Sequence, residues 1–360
     1  MLILPGKREE LIGVDISPAG IKLVELSRSQ STYELKSMAM VPLPRDAIVE
    51  NTIIDSMAVS QALADAIEVA RPSTQNVAFS MSGNAVIIKT VRMPTMTEFE
   101  LESQIQFEAD QHIPYDIEDV FLDFQILGPL LDEPEQMEVV LVACKREVID
   151  DYQLVLHEAG LVAKCVDCSV FTIENASELI LDQQQSAQSV MAGDEDEADV
   201  HALVNVGATL TNININLNGQ MAFVRDQFFG GVNLTEEIQR VHGVSFQAAE
   251  KMKQEHFSGI KEEALEAFYA GLTGELVRSL DFYATSHADA PVQKMYLSGG
   301  SALIPGLATE LEQRLGISAE VLNPFSVIKV PGKKFDAGYL QRIGPMMMVP
   351  VGLALRSFDA

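Results

Sequence analysis

Apolar and polar positions alternate in two arms near the start of the chain, LIGVDIS and GIKLVEL, on either side of Ser17-Pro18-Ala19-Gly20. Period-two alternation about a Pro/Gly-bearing turn predicts a β-hairpin over residues 11–26. A third strand is predicted from Tyr33 to Met40. From Met57 to Ala70 the apolar spacing changes to three and four, the helical period, and Pro72 closes that helix. Residues 77–93 return to strand character around a Ser-Gly-Asn turn.

A helix is then predicted through LESQIQFEADQHI, capped by Thr95 or Thr97 and stopped by Pro114. Its apolar stripe, Leu101, Ile105, Phe107 and Ile113, is expected to pack in a core. Strand-like runs at Val120–Leu127 and Glu138–Cys144 flank the acidic loop LLDEPEQ. A helix from Ile149 to Ala159 ends at Gly160. Residues 91–165 are therefore expected to form a small α+β module. The stretch 183–199, QQQSAQSVMAGDEDEAD, is polar and acidic and is expected to be a solvated boundary.

After that boundary the opening pattern returns. HALVNVGATLTNININLNGQMAFVRDQF reads as strand, small-residue turn, strand, Asn218-Gly219 hairpin, strand. Aligning Val14-Asp15-Ile16-Ser17 with Val204-Asn205-Val206-Gly207 sets Ile21-Lys22-Leu23 on Thr211-Asn212-Ile213, and the alternation stays in phase. This weak internal repeat implies two related lobes. Helical patterns follow over Leu234–Val241 and within Phe246–Ala284. KMYLSGGSALIPGL reads as a buried strand, a Gly-Gly turn and a helix through Thr309–Leu315. An apolar terminal segment, PMMMVPVGLALRSF, suits a packed helix, with Met346, Met347 and Met348 as adaptable filler.

Length and charge narrow the function. A chain of 360 residues exceeds one ordinary domain. Its net charge of −27 repels a nucleic-acid backbone and disfavours docking on anionic lipid through a basic patch. It does not exclude a nucleotide held by backbone N–H groups and a metal ion. Three cysteines, Cys144, Cys165 and Cys168, fit a reducing cytosol better than a disulfide framework. Cys165 and Cys168 are read as small apolar strand residues, not as a redox or zinc pair. The six histidines show no ligand spacing. No signal peptide is expected, and no apolar run approaches the ~20 residues that span a bilayer. Any tie to a membrane must come through a partner.

Three turns bare their backbone in the same way: Asp15-Ile16-Ser17-Pro18-Ala19, Asn205-Val206-Gly207-Ala208-Thr209 and Ser298-Gly299-Gly300-Ser301. Small residues admit a phosphate to main-chain N–H donors. Asp15 can hold Mg²⁺ through its waters, and Lys22 can neutralise a phosphate. A Gly-Gly turn leaves room for a base or ribose.

The two hairpins resemble the phosphate motifs of the actin, DnaK-type chaperone and sugar-kinase superfamily, and the turn after Leu297 resembles its adenosine motif. FGGVNLTEEIQRVHGVSFQAAEKMK is similar to an element of the cell-division protein FtsA, with Gly230, Gly231, Thr235, Glu250 and Lys253 at the matching positions. GVDISPAGIKLVELSR, FEADQHIPY, EVVLVACKRE and VGLALRSFD carry a closer resemblance to the PilM family of type IV pilus assembly proteins.

That resemblance implies an α/β, actin-like (ribonuclease H-like) fold of two lobes with an α+β subdomain inserted in the first. The implied division is 1–90 with 166–198 for lobe 1, 91–165 for the insert, 199–229 with 291–345 for the core of lobe 2, and 230–290 for a helical subdomain. The terminal helix, 346–360, is expected to return to lobe 1. ATP and Mg²⁺ are implied in the cleft, with Glu250 and Lys253 at ribose and adenine. The short cytoplasmic N-terminus of PilN, an inner-membrane protein, is implied in a groove between the insert and lobe 1. This would place the chain in the cytoplasm, peripheral to the inner membrane. Other pilus assembly proteins and self-association are compatible with the reading.

Two departures bear on chemistry. Asn205 stands where the superfamily usually has Asp, and an amide cannot act as a base. Pro18 removes one N–H from the first nest, while the Ser17 hydroxyl adds a donor. Asp15 and Asp167 are the carboxylates left as candidates for catalysis. Slow or absent hydrolysis is expected. A sugar- or acetate-type kinase and an FtsA-like filament-forming ATPase remain as alternatives.

Overall fold

The computed structural model describes residues 10–130, 132–188, 199–255, 257 and 259–359. Strands β1 (Ile12–Ser17) and β2 (Gly20–Ser29) form the first hairpin, in a register that pairs Asp15 with Lys22. Strand β3 (Thr32–Pro42) continues the meander. A short hairpin of β4 (Ile48–Val49) and β5 (Thr52–Ile53) leads into helix α1 (Ser56–Ala70). Asp55 caps α1 by accepting from the Ala58 N–H at 3.0 Å, and Arg71 ends it in the left-handed conformation before Pro72. Strand β6 (Asn76–Met81) then joins β1 in parallel.

From here the chain leaves the sheet. Strand β7 (Val86–Pro94), helix α2 (Glu98–Asp110), strand β8 (Val120–Pro129) and strand β9 (Gln136–Lys145) make a three-stranded antiparallel sheet, ordered β7-β9-β8, with one helix on it. Thr97 caps α2 in a reciprocal box with Glu100. Leu101 and Ile105 of α2 pack on Val91, Met93, Val139 and Leu141. Phe107 does not join them. It is 73% exposed, as is Phe99 at 80%, because position 107 lies two residues past Ile105 on the 101–105–109 stripe and turns outward.

Helix α3 (Arg146–Glu158) buries Ile149, Tyr152, Val155 and Leu156 in the core between α1 and the first sheet. Strand β10 (Val162–Cys168) pairs in parallel with β6. The separate sheet thus spans 86–145, beginning before and ending short of the 91–165 drawn from the sequence. Periodicity shows that α3 has an apolar face but not which sheet that face covers. Helix α4 (Ser169–Gln188) also runs into the stretch read as a solvated boundary, so 183–188 is helical. The part of that stretch at 189–198 lies outside the described residues.

The second half repeats the architecture. Strands β11 (Val200–Val206), β12 (Thr211–Leu217) and β13 (Gln220–Gln227) form a meander, with Asn218 and Gly219 both left-handed at the second turn. Helices α5 (Gly231–His242), α6 (Phe246–Gln254) and α7 (Glu262–Ala284) follow. Strand β14 (Lys294–Ser298), helix α8 (Leu307–Leu315) and strand β15 (Ser318–Val321) complete the sheet. Its order, β13-β12-β11-β14-β15, matches β3-β2-β1-β6-β10 of the first sheet strand for strand. The aligned pairs share one register: Asn205 sits opposite Asn212 as Asp15 sits opposite Lys22. Periodicity marks neither β15 nor the short helix α9 (Ala337–Ile343).

Helix α10 (Met348–Leu355) returns to the first sheet and packs on α4. Both contacts are backbone-close. A methyl at Gly13 of β1 would lie 2.0 Å from the Pro350 carbonyl oxygen, and one at Gly352 would lie 1.8 Å from that of Thr172 on α4. Ser357 ties the end of the chain to Leu11, accepting from its N–H at 2.9 Å and donating to its carbonyl at 3.1 Å.

Glu25 on β2 is 2% exposed, at the side of the first sheet. Burial alone would raise its carboxyl, but hydrogen bonds from Ser73 and Ser37 and the Lys36 ammonium at 3.0 Å outweigh it and hold the group below the usual range. A carboxylate with a lowered native pKa stabilises the fold above its unfolded pKa, and that stability is lost as pH falls through the native value. Glu25→Gln should therefore cost about 1 kcal/mol near neutral pH. Thermal unfolding curves of the two proteins should converge as pH drops below the ordinary carboxylate range.

Candidate functional site

Two of the three small-residue turns, those at 205–209 and 298–301, meet in the second lobe. The Gly207 and Ala208 carbonyls, in the β11–β12 turn, accept from the Gly231 N–H at 2.9 Å and the Val232 N–H at 2.8 Å, at the start of α5. The Ser301 hydroxyl donates to the same Gly207 carbonyl at 3.2 Å. Only glycine fits where these chains cross. A methyl at Gly230 would stand 2.7 Å from Ala208 and Gly207 backbone atoms, and one at Gly299 2.4 Å from the Val206 carbonyl oxygen. Gly299 also has φ +88°, left-handed backbone that favours glycine.

Lys253 of α6 anchors the other side. Its ammonium donates to the Gly231 carbonyl at 2.8 Å, to the Thr235 hydroxyl at 2.7 Å and to Glu250 at 2.8 Å. Thr235 also donates to Glu250. Glycines, lysine and glutamate, far apart in sequence, thus form one cradle with backbone close to its surface. Thr209 stands exposed at the tip of the β11–β12 turn. Gly300 is more open, since a methyl there would meet only Met346, at 3.7 Å.

In the first lobe the β1–β2 turn supplies a matching but charged pair. Lys22 and Asp15 are 2.5 Å apart, each 13% exposed. The Ser17 hydroxyl, expected from the sequence to add a donor, is spent on the Gly20 carbonyl at 3.1 Å within its own hairpin. Pro18 is half-buried and Ala19 exposed at the turn.

Asp167 is likewise engaged. One oxygen accepts from the Cys168 N–H at 2.7 Å and the other from Arg356 at 2.6 Å. This explains why an arginine follows the apolar terminal helix: it neutralises a carboxylate only 6% exposed. Burial lowers the guanidinium while Asp167 and Asp359 raise it, and the net effect is upward. Cys168, on the same strand, is pushed well up by burial and by Asp167, which makes it an inert thiol.

Two carboxylates bridge the lobes: Glu174 of α4, which accepts from Asn214 and Asn216 of β12, and Asp226 of β13, a residue that no sequence motif singled out. Asp226 accepts from Asn212 at 2.7 Å and, across the lobes, from the Gly83 N–H at 2.5 Å. Burial pushes its carboxyl up, and those two hydrogen bonds pull against it. A cavity of about 280 Å³ lies here, lined by Met81, Ser82, Gly83, Cys168, Arg225 and Asp226 among others. An aspartate in mid-strand is disfavoured, and that local oddity is the signal that could have found it.

A family model described as type IV pilus assembly protein PilM matches residues 13–358. The chain belongs to the PilM family. Among solved structures, a chain of a PilM-PilN type IV pilus biogenesis complex is 31% identical and superposes with a TM-score of 0.85, over 98% of this chain and 100% of that one. The ethanolamine utilization protein EutJ from Carboxydothermus hydrogenoformans is 15% identical with a TM-score of 0.55, over 98% and 92% of the two chains. MreB5 of Spiroplasma citri bound to ADP is 10% identical with a TM-score of 0.50, over 97% and 98%. The last two are similar in fold alone. The two-lobed α/β fold is the actin-like one that the sequence implied.

One further feature of this PilM-family chain lies apart from the cradle. Where the β7-β9-β8 sheet meets the first lobe, a groove of about 650 Å³ is lined by Ile113, Pro114, Tyr115, Asp116, Lys145 and Arg146 among others. Lys145 lies 4.4 Å from the Tyr115 ring and Arg146 4.2 Å from that of Phe121. Cation–π contacts hold both basic side chains at its rim. Among the described residues, no helix is long and apolar enough to cross a membrane.

Proposed function

We propose that this chain is an ATP-holding scaffold of type IV pilus assembly that docks the cytoplasmic N-terminal peptide of a PilN-type inner-membrane protein. The observation that carries the reading is family membership over almost the whole length, joined to a full-length match with a chain of a PilM-PilN complex. The groove beside Tyr115 and Lys145 suits an extended peptide, with the buried Ile113 among its lining and charge of both signs along its walls. Docking there would hold the chain in the cytoplasm at the inner membrane.

The cradle fits a nucleotide. Gly207, Ala208, Gly230 and Gly231 would sit at the phosphates, Gly299, Gly300 and Ser301 at the adenosine, and Glu250 and Lys253 at the ribose and base. Gly207, Gly230 and Gly299 let these turns press together backbone to backbone, where a methyl would strike a main-chain atom. Asp15, already beside Lys22, would hold Mg²⁺ through water, and the ion would neutralise phosphate charge. Asn205 offers an amide where a base is needed, and Asp15 and Asp167 are both tied in ion pairs. Hydrolysis should therefore be slow or absent.

Titration of a PilN-type N-terminal peptide into the full chain tests the docking. Lys145→Glu should weaken the peptide by about tenfold or more, a loss of about 1.4 kcal/mol, and leave ATP affinity unchanged. Incubation with Mg·ATP over hours should release little ADP. Absence of peptide binding, with or without nucleotide, removes the scaffold reading, and rapid turnover removes the slow-hydrolysis one.

A further inference from the structure

A line of polar side chains runs from the cradle to the root of the inserted sheet. The Ser298 hydroxyl donates to the Asn205 amide oxygen at 3.1 Å. The Asn205 amide nitrogen donates to the Asn212 oxygen at 3.0 Å, and the Asn212 nitrogen donates to Asp226 at 2.7 Å. The other Asp226 oxygen accepts from the Gly83 N–H at 2.5 Å. Every amide donates in the same direction, towards the carboxylate. Ser298 precedes Gly299 of the Gly-Gly turn, and Asn205 lies beneath the β11–β12 turn. At the far end, the 3₁₀ turn Gly83–Ala85 leads directly into β7, the first strand of the inserted sheet.

We infer that Asp226 is the coupling residue between the nucleotide cradle and the peptide groove, acting through the Asn205–Asn212 amides on one side and the Gly83 backbone on the other. This rests on the reading of cradle and groove given above and adds how they communicate. Three properties of the line suit the role. Its middle and its start are buried, with Asn212 4% and Ser298 1% exposed, so water does not reach those links freely, and only Asn205 and Asp226 are partly open. Its end-to-end polarity is set by one carboxylate, so moving Asn205 reorients everything downstream. Its last bond crosses between lobes to a backbone held in left-handed geometry, φ +62° at Gly83. The carbonyl of the preceding Ser82 accepts from Asn51 at 2.7 Å. The root of the inserted sheet therefore has one contact fixed to its own lobe and one that answers to the other.

Asp226→Asn breaks one link with little change in shape. The new amide can accept from Asn212 or from Gly83, but its NH₂ group then faces the other donor. Coupling between two sites is a free energy that a cycle measures directly. The experiment titrates the PilN-type peptide into the full chain with and without saturating Mg·AMPPNP, for the parent and for Asp226→Asn. In the parent, nucleotide should change peptide affinity by about 5- to 100-fold. In the variant each ligand alone should bind within about threefold of the parent, and the ratio should fall to near one. An unchanged ratio in the variant overturns the proposal, as does a ratio of one in a parent that binds both ligands.

Amide hydrogen exchange over residues 81–90 provides a readout that needs no peptide. Mg·AMPPNP should protect this segment in the parent and not in Asp226→Asn. Protection unchanged in the variant overturns the relay even if the peptide assignment fails, and a chain that binds nucleotide but no peptide can still support it. Asn212→Ser, which shortens the middle link within one lobe, should lose the same protection and serves if Asp226→Asn does not fold.

Discussion

Gly299→Ala lowers affinity for Mg·ATP by about 100-fold or more in titration calorimetry. The residue has φ +88°, where an L side chain costs about 1–2 kcal/mol. Its methyl would meet the Val206 carbonyl oxygen at 2.4 Å and the Asn205 amide oxygen at 2.9 Å. Neither neighbour can give way cheaply, since Val206 is in a central strand and Asn205 is hydrogen-bonded to both Ser298 and Asn212. The Gly-Gly turn must therefore lift off β11, and the surface proposed for adenosine separates from the one proposed for phosphate. Gly274→Ala on α7 is the matched control. Its methyl would find only Arg278 at 3.7 Å, and alanine in a helix interior is favoured over glycine. Full ATP affinity in Gly299→Ala would remove this turn from the site.

Gly352→Ala should destabilise the whole chain by about 3 kcal/mol, at the upper end of what an inserted methyl costs in a packed core. The methyl would lie 1.8 Å from the Thr172 carbonyl oxygen and 2.5 Å from its carbon, both main-chain atoms of α4. Relief requires the two helices to separate, which opens the cluster that joins Ile173 and Ala176 to Val351, Leu353 and Ala354. A fall in melting temperature of roughly 6 °C or more is expected. A shift within about 1 °C would mean that the crossing has slack the geometry does not suggest.

Both glycines are visible in the sequence, but only one can be read there. Gly299 stands in a doublet after a buried strand, a pattern with local meaning. Gly352 sits in an apolar run where its role depends on a helix far earlier in the chain. The same division runs through the fold. The hairpins, their register and the repeat between Asp15–Lys22 and Asn205–Asn212 follow from alternation, because pairing across a short turn is local. Helix α3 keeps its expected apolar face at a different address, since periodicity carries no label for the partner sheet. The partnership of Asp167 with Arg356 is equally non-local. Asp226 escapes a sequence reading because its meaning lies in the third strand of a meander whose register shifts at Ile215/Asn216. Counting outward from the Asn218-Gly219 turn loses the correct partner at that bulge. Composition puts Phe107 inward, and the helical angle turns it outward.

The amide at position 205 and the carboxylate at position 226 constrain one another through a single side chain. Asn212 presents its oxygen to one and its nitrogen to the other. Asn205→Asp alone would set a second acid against that oxygen, with no proton between them. Descent should therefore move the two sites together. Relatives with an acid at the first should have lost the one at the second, and the two should trade places across a family tree rather than vary freely.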